Sequence, residues 1–316
     1  MELRHLGYFV AVAEELHFRR AAERLHVAQP AVSEQVRKLE DELGVRLLDR
    51  SERSVSLTDA GAALLTEARR LLHDAEAARL AARHTTGHAN GRLRIGYVPA
   101  CLPARIPRAL RRLATEMANV HGTLEPGNGV ELLQALHAGR LDAAIVSLPA
   151  PTTGLRITPV GREHPVAAFP VGHRHAVASA IRLDQVAPER IVVLPREANR
   201  PFYDAVVAAC RDANLSPTLV ETADGHVEPA LLAVASGHGM GLLPQSAAER
   251  HLAPGVRFVP LAPPRPEVAT AIVTRRDTTH WPTAAFLRAV SDTDQAPHAG
   301  AGGAGPAGRL TVVGVG

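Results

Sequence analysis

Residues 18 to 43 read FRRAAERLHVAQPAVSEQVRKLEDEL, and the rest of the chain is organised around this stretch. Its apolar residues recur at helical spacing on both sides of a short break. They are Phe18, Ala21, Ala22 and Leu25 before the break and Val32, Val36, Leu39 and Leu43 after it. Pro30 suits the first turn of the second helix, where its missing N–H would have no helical partner. Gly44 is a natural helix stop. The pattern predicts a helix-turn-helix, whose second helix enters the DNA major groove.

The outward face of the second helix carries polar side chains that can recognise DNA. Along this face lie Gln29, Pro30, Ser33, Glu34, Arg37 and Lys38. Glutamine can bond an adenine edge with two hydrogen bonds, and serine can bond base edges or phosphate. Arg37 and Lys38 can reach phosphates or guanine. A solvated helix face is the alternative for any one of these residues, but as a set they predict DNA contact.

The charge of this region is not strongly basic. The whole chain has a net charge of +3 and a pI of about 9.3, while residues 1–58 contain nine Lys/Arg and ten Asp/Glu. DNA binding must therefore depend on local clusters, namely Arg19 with Arg20, Arg37 with Lys38, and Arg50 with Arg53. The acids Glu40, Asp41 and Glu42 have to point away from the phosphates. Short apolar segments at 45–48 and 55–57 predict a hairpin wing with Arg50 and Arg53 at its tip, suited to phosphates or the minor groove; a solvated loop is the alternative.

A long helix is expected after Thr58, which is a favourable capping residue. Its apolar positions step by four and three, as in a coiled coil whose small residues allow close approach. They include Leu64, Ala68, Leu71, Ala75 and Ala78. We interpret this seam as a dimer contact; packing on the helix's own chain is the alternative. Residues 84–91 (HTTGHANG) read as a linker.

From Arg92 onward the pattern changes to strands that alternate with helices, which indicates a parallel sheet in an α/β domain. The predicted strands cover 93–98, 122–125, 141–148, 166–171, 190–194, 218–221, 239–244 and 268–274. The predicted helices cover 104–115, 130–137, 201–213, 226–236 and 280–290. The Gly- and Ala-rich segment 291–316 has little to bury and is expected to be disordered. Its final LTVVG resembles a short strand without further support.

Composition and motifs exclude several other classes of protein. Hydrophobic residues make up 46% of the chain, enough for a core, and the two cysteines, Cys101 and Cys210, suit free thiols in a reducing cytoplasm. The chain has neither a signal peptide pattern nor an apolar run long enough to span a membrane, so we expect a soluble cytoplasmic protein with no membrane partner. No phosphate loop, catalytic constellation or metal-ligand spacing is found. We therefore predict no enzyme activity, no cofactor and no metal; a solute-binding protein would lack the helix-turn-helix.

The first ninety residues resemble the LysR-type transcriptional regulators. The resemblance lies in MELRHLGYFVAVAEE, RAAERLHVAQPAVSEQVRKLEDELGVRLLDR and VSLTDAG, in the family's order and spacing. The second half resembles the family's effector domain through RLRIGYVPA, LHAGRLDAAIVSLPA and LLAVASGHGMGLLP. Two departures stand out. Ala28 replaces the usual Ser or Thr helix cap, and Glu34 stands where the family often has Arg.

The resemblance implies a specific architecture. A winged helix-turn-helix (1–58) is joined by a linker helix (59–90) to a two-lobed domain (91–290) with the fold of periplasmic binding proteins. Lobe I would cover about 91–162 and 267–290, and lobe II about 163–266, with crossovers near Val160 and Pro264. A small organic effector, an aromatic or carboxylic acid, would bind between the lobes. By the family's motif positions its site would consist of Ala100, Cys101, Asn128, Gly129, Ser147, Leu148, Pro149 and Phe202.

The resemblance also implies the partners. They are a double-stranded DNA operator, the effector, a second copy of the chain in a dimer or tetramer, and RNA polymerase if the protein activates transcription. Helices begin just after the first two effector loops, and their free N–H groups suit a carboxylate. Since no Lys or Arg stands at the effector positions, a singly anionic or weakly charged acid is favoured. Each effector position can alternatively be an ordinary loop or core residue.

Overall fold

The computed structural model describes residues 1–50, 55–84, 91–99, 102–116, 120–186, 190–251, 253–276, 280–292 and 310–312. The chain forms two compact units. The first comprises Met1–Asn90 with the short segments Ala135–Leu141 and Thr279–Trp281, and the second comprises the remainder. Three residues predicted to make contacts, Arg53, Ala100 and Cys101, lie outside the described residues.

The described part of the amino-terminal 84 residues contains four helices and a small hairpin. Their bounds are α1 Leu3–Glu15, α2 Phe18–Leu25, α3 Gln29–Leu43, β1 Leu48–Arg50, β2 Val55–Leu57 and α4 Asp59–His84. The antiparallel pair β1–β2 is the predicted wing hairpin. Phe9, Ala21, Val32, Val36 and Leu39 are completely buried where α1, α2 and α3 meet. The apolar periodicity thus identified Ala21 and Ala22 of α2 and Val32, Val36 and Leu39 of α3 correctly, whereas Leu43 at the end of α3 is 39% exposed.

The junction between the wing and α4 is fixed by two residues of the sequence VSLTDAG. The Thr58 hydroxyl accepts a hydrogen bond from the Gly61 N–H at 2.9 Å, as predicted for a capping residue. The same hydroxyl donates to the Arg46 carbonyl at 2.8 Å. A Cβ atom at Gly61 would lie 2.0 Å from the Leu47 carbonyl oxygen, so only glycine fits here. These contacts hold the wing against the start of the long helix.

The rest of the chain alternates strands and helices. In chain order the elements are β3 Gly91–Tyr97, α5 Arg105–Glu116, β4 Val120–Pro126, α6 Gly129–His137, β5 Ala143–Ser147, β6 Leu155–Glu163, β7 Pro165–Pro170, a 3₁₀ turn Leu183–Gln185, β8 Arg190–Val193, α7 Arg200–Asp212, β9 Thr218–Glu221, α8 Val227–Ala235, β10 Met240–Pro244, α9 Gln245–Arg250, β11 Val256–Pro260, β12 Val268–Arg275, α10 Trp281–Asp292 and β13 Leu310–Val312.

These strands form two sheets, and each sheet belongs to one lobe. The sheet of lobe I has the order β13-β4-β3-β5-β12-β6, and the sheet of lobe II has the order β11-β7-β10-β8-β9. β3, β4 and β5 are parallel, as are β8, β9 and β10, whereas β12, β6, β7 and β11 make antiparallel pairs. The chain passes between the lobes at His164 and again between β11 and β12. The first crossover was expected near Val160, which instead lies inside β6.

Strand β6 was missed because its sequence argues against a strand. Pro159 cannot donate to a sheet ladder, so prolines are confined to edges and bulges. β6 is the edge strand of its sheet, and its register with β12 shifts between Thr270 and Ala271, where Val160 has no partner. The proline is therefore accommodated by an edge position and a bulge together. Helix α9 and edge strand β11 were also missed.

The expectation of a disordered tail is wrong for the two parts of the segment 291–316 that the structure describes, residues 291–292 and 310–312. Ser291 and Asp292 complete α10, and β13 pairs in parallel with β4, with Leu310 opposite Gly122 and Val312 opposite Leu124. Without β13, β4 would present a row of unpaired backbone groups at the edge of the sheet. The backbone pairing of this edge, rather than a hydrophobic pattern in the tail, accounts for the strand.

Candidate functional sites

The helix-turn-helix is built as its pattern predicted. Helix α2 ends at Leu25, and His26 takes a left-handed conformation with φ 55° to turn the chain. Helix α3 follows, with Ala28 at its cap position and no side-chain hydrogen bond there. Pro30 occupies the first turn, and Gly44 ends the helix with φ 68°. The local stop and start signals fix the angle at which α3 is presented.

The predicted contact residues share the outward face of α3. Gln29, Pro30, Glu34, Arg37 and Lys38 are exposed and Ser33 is half-buried, while Arg20 is exposed on α2. The Lys38 ammonium lies 3.0 Å from the Glu34 carboxylate, one helical turn away. Its hydrogen bond and charge lower the pKa of Glu34. Lys38 is therefore already paired with the Glu34 carboxylate on the surface that is proposed to contact phosphates.

Two acids of α3 are used inside the amino-terminal unit. Glu40 accepts hydrogen bonds from the Leu47 and Leu48 N–H groups at 2.8 and 3.1 Å, which positions the wing. The Glu42 carboxylate lies 2.6 Å from the amino-terminal ammonium of Met1. Both carboxylates are therefore engaged by groups of the amino-terminal unit itself. Arg50 is the last residue of β1, on the predicted wing.

Helix α4 is fastened to the helix-turn-helix by charges and by its own core contacts. Glu14 lies 2.7 Å from Arg24 and 2.8 Å from Arg69. Ala68 is completely buried in the core formed with α1, α2 and α3, and Leu64 packs against that core. Packing on the same chain, the alternative left open by the sequence, thus applies to Ala68 and Leu64. A repeat of small and apolar residues identifies an apolar face but not the chain that covers it.

The remaining predicted seam residues are accessible. Leu71 is 37% exposed, Ala78 is exposed and Ala75 is half-buried. They leave part of α4 available to a second copy of the chain.

In the second unit, loops from both lobes line a partly open cavity of about 170 Å³. Its lining residues are Val98, Pro99, Pro126, Gly127 and Asn128 from lobe I and Ala198, Gly225 and His226 from lobe II. All lie at or after the carboxyl ends of parallel strands, the usual place for a ligand in an open α/β sheet. The Asn128 side-chain oxygen accepts the Glu131 N–H at 3.0 Å and so caps α6.

The structure brings together only part of the predicted effector set. Asn128 lines the cavity and Gly129 follows it as the first residue of α6. Leu148 is half-buried and Pro149 is exposed, beyond β5. Phe202 is only 4% exposed and belongs to the core of lobe II, so it does not form an open aromatic wall. It was placed by motif position, and an aromatic side chain at a helix start can equally face the core.

Two buried hydroxyls lie opposite each other beside the end of β5. Ser147 and Thr270 are partners in the β5–β12 register. Their side chains are 3% and 0% exposed, and neither hydroxyl has a hydrogen-bond partner among the described residues. Buried polar groups are normally satisfied, so these two are candidates for contact with a polar ligand group. The sequence indicated Ser147 but gave no signal for Thr270.

The sequence also missed Arg250, at the end of α9. This lobe II guanidinium donates to the carbonyls of Pro99 at 2.9 Å and Leu102 at 3.2 Å, in the loop after β3 of lobe I. Glu163 lies nearby and accepts the Ser246 N–H at 2.9 Å. Burial raises the pKa of Glu163, although the Ser246 hydrogen bonds and the charge of Arg250 act in the other direction. Arg250 therefore places a cation at the boundary of the lobes, and no local sequence motif predicted it.

No described helix combines the length and apolar character that crossing a membrane would require.

A winged helix-turn-helix with a polar outward face, together with a two-lobed α/β domain, defines a DNA-binding regulator with a ligand-binding domain. Comparison with known proteins agrees. The family model for the bacterial regulatory helix-turn-helix protein, lysR family, matches residues 3–62, and that for the LysR substrate binding domain matches residues 86–294. The chain belongs to the LysR family of DNA-binding transcriptional regulators, and its relatives are regulators rather than enzymes.

Individual relatives cover most of the chain. It is 34% identical to the HTH-type transcriptional regulator AlsR of Bacillus subtilis over 248 residues, 78% of this chain and 82% of that one. It is 32% identical to the DNA-binding transcriptional dual regulator OxyR of Escherichia coli over 282 residues, 87% of this chain and 90% of that one.

Solved structures of full-length regulators show the same fold. A full-length OxyR variant from Pseudomonas aeruginosa has a TM-score of 0.74 at 31% identity, covering 93% of this chain and 94% of that one. Full-length CbnR in complex with its target DNA has a TM-score of 0.67 at 26% identity, covering 93% and 100%.

Proposed function

We propose that α3 reads operator bases through Gln29 and Ser33 while the surrounding cations hold phosphates. The observation that carries the proposal is the shared, exposed face of α3 on a helix-turn-helix whose core is fully packed. The phosphate contacts are assigned to Arg20, Arg37, Lys38, Arg50 and Arg53. Pro30 and Glu34 border the base-reading pair, and a glutamate can accept a hydrogen bond from a cytosine amino group.

Base reading and phosphate contact can be separated by gel shift on operator and random DNA. Changing Gln29 to Ala should cost about 1–3 kcal/mol on the operator and little on random DNA, because a base contact is sequence-specific. The matched control is Arg37→Gln, which should weaken both complexes and reduce the salt dependence. Equal loss on both DNAs for Gln29→Ala would contradict base reading.

We also infer that the cavity between the lobes binds a small organic acid that controls the regulator. A dry cavity of about 150 Å³ can hold benzene, so the volume of about 170 Å³ suits a single ring or a short acid. The amino terminus of α6 and the nearby Arg250 favour a carboxylate. Asn128 lines the cavity, and Gly129 follows it at the start of α6. Ser147 and Thr270, whose buried hydroxyls have no hydrogen-bond partner among the described residues, are assigned as further polar contacts, with Leu148 and Pro149 after β5.

A thermal-shift screen of small carboxylic acids tests this site. Asn128→Leu should abolish stabilisation by a hit, because it fills the cavity and removes an amide. Gln134→Leu, an exposed change on the same helix, is the control. A hit that still stabilises Asn128→Leu as strongly as the natural chain would place the effector elsewhere.

Oxidant sensing is a second candidate, because relatives include hydrogen peroxide-inducible genes activators. The thiolate is the reactive form of cysteine. Cys210 is 4% exposed, and burial raises the pKa of its thiol. The cavity between the lobes therefore supports effector control better than this thiol supports oxidant sensing.

The remaining partners complete the proposal. The accessible face of α4 around Leu71 and Ala78 would join two copies, since paired helix-turn-helix units bind paired half-sites. The regulator would act in the cytoplasm, where it meets its operator, and would contact RNA polymerase if it activates transcription.

A further inference from the structure

A second cavity lies in lobe II, away from the cleft. Its volume is about 450 Å³, within the range typical of small-molecule sites. It is lined by Phe169 and Pro170 at the end of β7, the turn His173–His175, Val186, Arg190 at the start of β8, and residues 237–240 at the start of β10. The cleft residues instead follow the carboxyl ends of β8 and β9. The two cavities therefore lie at opposite ends of the parallel strands of lobe II.

The charged and titratable side chains that line this cavity are all basic. They are His173, Arg174 and His175 on the turn after β7, Arg190 on β8 and His238 before β10. No acidic side chain is among its lining residues in the described chain. A groove of similar size along α7 differs, because Arg182 there is paired with Asp184 and the lining also includes Asp212 and Glu267. The single sign of charge distinguishes the cavity near β7.

An aromatic stack forms one wall. The His173 ring lies parallel to Phe169 with centroids 4.7 Å apart, and His175 lies 5.4 Å from His173. The His175 backbone N–H donates to His173 Nδ1 at 3.3 Å, and Arg174 Nε donates to His175 Nε2 at 3.1 Å. Burial, with the charges of His175 and Arg174, lowers the pKa of His173. The wall thus combines the stacked rings of Phe169 and His173 with a tilted His175 ring, and the guanidinium groups of Arg174 and Arg190 line the same cavity.

We propose that this cavity binds a small organic oxyanion, a carboxylate or a phosphate with an apolar ring. Arg174 and Arg190 hold the oxyanion, since guanidinium groups form strong charge-assisted bonds with such oxygens. The ring lies against His173 and the apolar side chains of Val186 and Met240. The site is independent of the cleft that is proposed for the controlling effector. The described residues contain no group of three or more ligands suited to a metal.

Calorimetric titration of the full-length chain with phenyl phosphate and with benzoate tests the site and distinguishes the two oxyanions. At least one of the two should bind, while phenol, with the ring but no charge, should not. Arg190→Gln should weaken binding about tenfold or more, and Arg211→Gln on α7 is the matched control. Asn128→Leu, which fills the cleft, should leave the affinity unchanged. Thermal melts without ligand show that each variant is folded.

Proton uptake provides a second readout. A bound anion favours the charged imidazolium, so it should raise the pKa of His173, as followed by NMR. Binding should therefore tighten as the pH falls from about 8 to 6. The inference is overturned if neither anion binds at about 10 mM, if Arg190→Gln binds like Arg211→Gln, or if Asn128→Leu alone removes binding.

Discussion

On the outward face of α3, Glu34 and Lys38 form an exposed ion pair 3.0 Å apart. The acid repels phosphate and also occupies a cation that phosphate would otherwise attract. Glu34→Gln should therefore strengthen binding to random DNA and make the negative slope of log affinity against log salt steeper by about one, the contribution of one additional phosphate contact.

The control for this change is Glu116→Gln, which breaks the similarly spaced pair Arg112–Glu116 in the second unit. Salt titrations by fluorescence anisotropy would measure both slopes. An unchanged slope for Glu34→Gln would show that Lys38 does not reach the DNA backbone.

Glu163 predicts a pH dependence of stability. Its folded pKa is raised above the ordinary 4.5 by burial, so the folded state binds more protons than the unfolded state. The stability present below pH 4.5 is lost as the pH rises through the folded pKa. Glu163→Gln keeps an acceptor for the Ser246 N–H but cannot ionise. Its unfolding free energy should exceed that of the natural chain at about pH 7 and show a flatter profile across this window, measured by urea denaturation.

Residue positions were predictable where one helix sets them. Gln29, Ser33 and Arg37 share a face because a helix turns about every 3.6 residues, and the structure keeps them on that face. Arg250 was not predictable, because its partners Pro99 and Leu102 lie about 150 residues earlier in the chain. Phe202 was misplaced because its motif position does not fix the direction of its side chain.

At the scale of elements, α4 offers a matched pair of substitutions. Leu71 is 37% exposed, whereas Ala68 is completely buried in its own unit. Leu71→Asp should weaken self-association while leaving the thermal midpoint nearly unchanged. Ala68→Asp should lower the midpoint strongly, because it buries an unpaired charge. Light scattering and thermal melts would measure both. An unchanged assembly for a folded Leu71→Asp would remove this face from the interface.

The tail strand changes what truncation is expected to do. The hydrophobic pattern alone predicts that removing residues 295–316 is harmless, but β13 pairs with the edge of β4 over three residues. Its removal should expose that edge and lower the thermal midpoint or promote concentration-dependent association. Deleting only residues 313–316, beyond the strand, is the control. Identical melting and assembly for the two truncations would show that β13 does not protect the edge.

Elements with strong local patterns were predictable, and elements that depend on sheet context were not. Every predicted helix is present, since apolar spacing and stop residues such as Gly44 determine helices locally. Strand β6 depends on its edge position and a bulge, and β13 depends on an edge supplied by β4. Neither condition can be seen within the strand's own sequence.

For the whole molecule, a substitution at Arg250 tests effector control separately from DNA binding. It joins the lobes by donating to the Pro99 and Leu102 carbonyls, and all the residues proposed to contact DNA lie in the first 53 positions. Arg250→Gln removes a cation beside the cavity and weakens the link between lobes, at a cost of about 1 kcal/mol. It should reduce the affinity for an acid effector about fivefold and leave operator binding without effector unchanged. Arg257→Gln, an exposed change on β11, is the control. Thermal shift would measure effector affinity and gel shift would measure operator binding for both variants. Full effector affinity in Arg250→Gln would show that the link between the lobes does not contribute to the response.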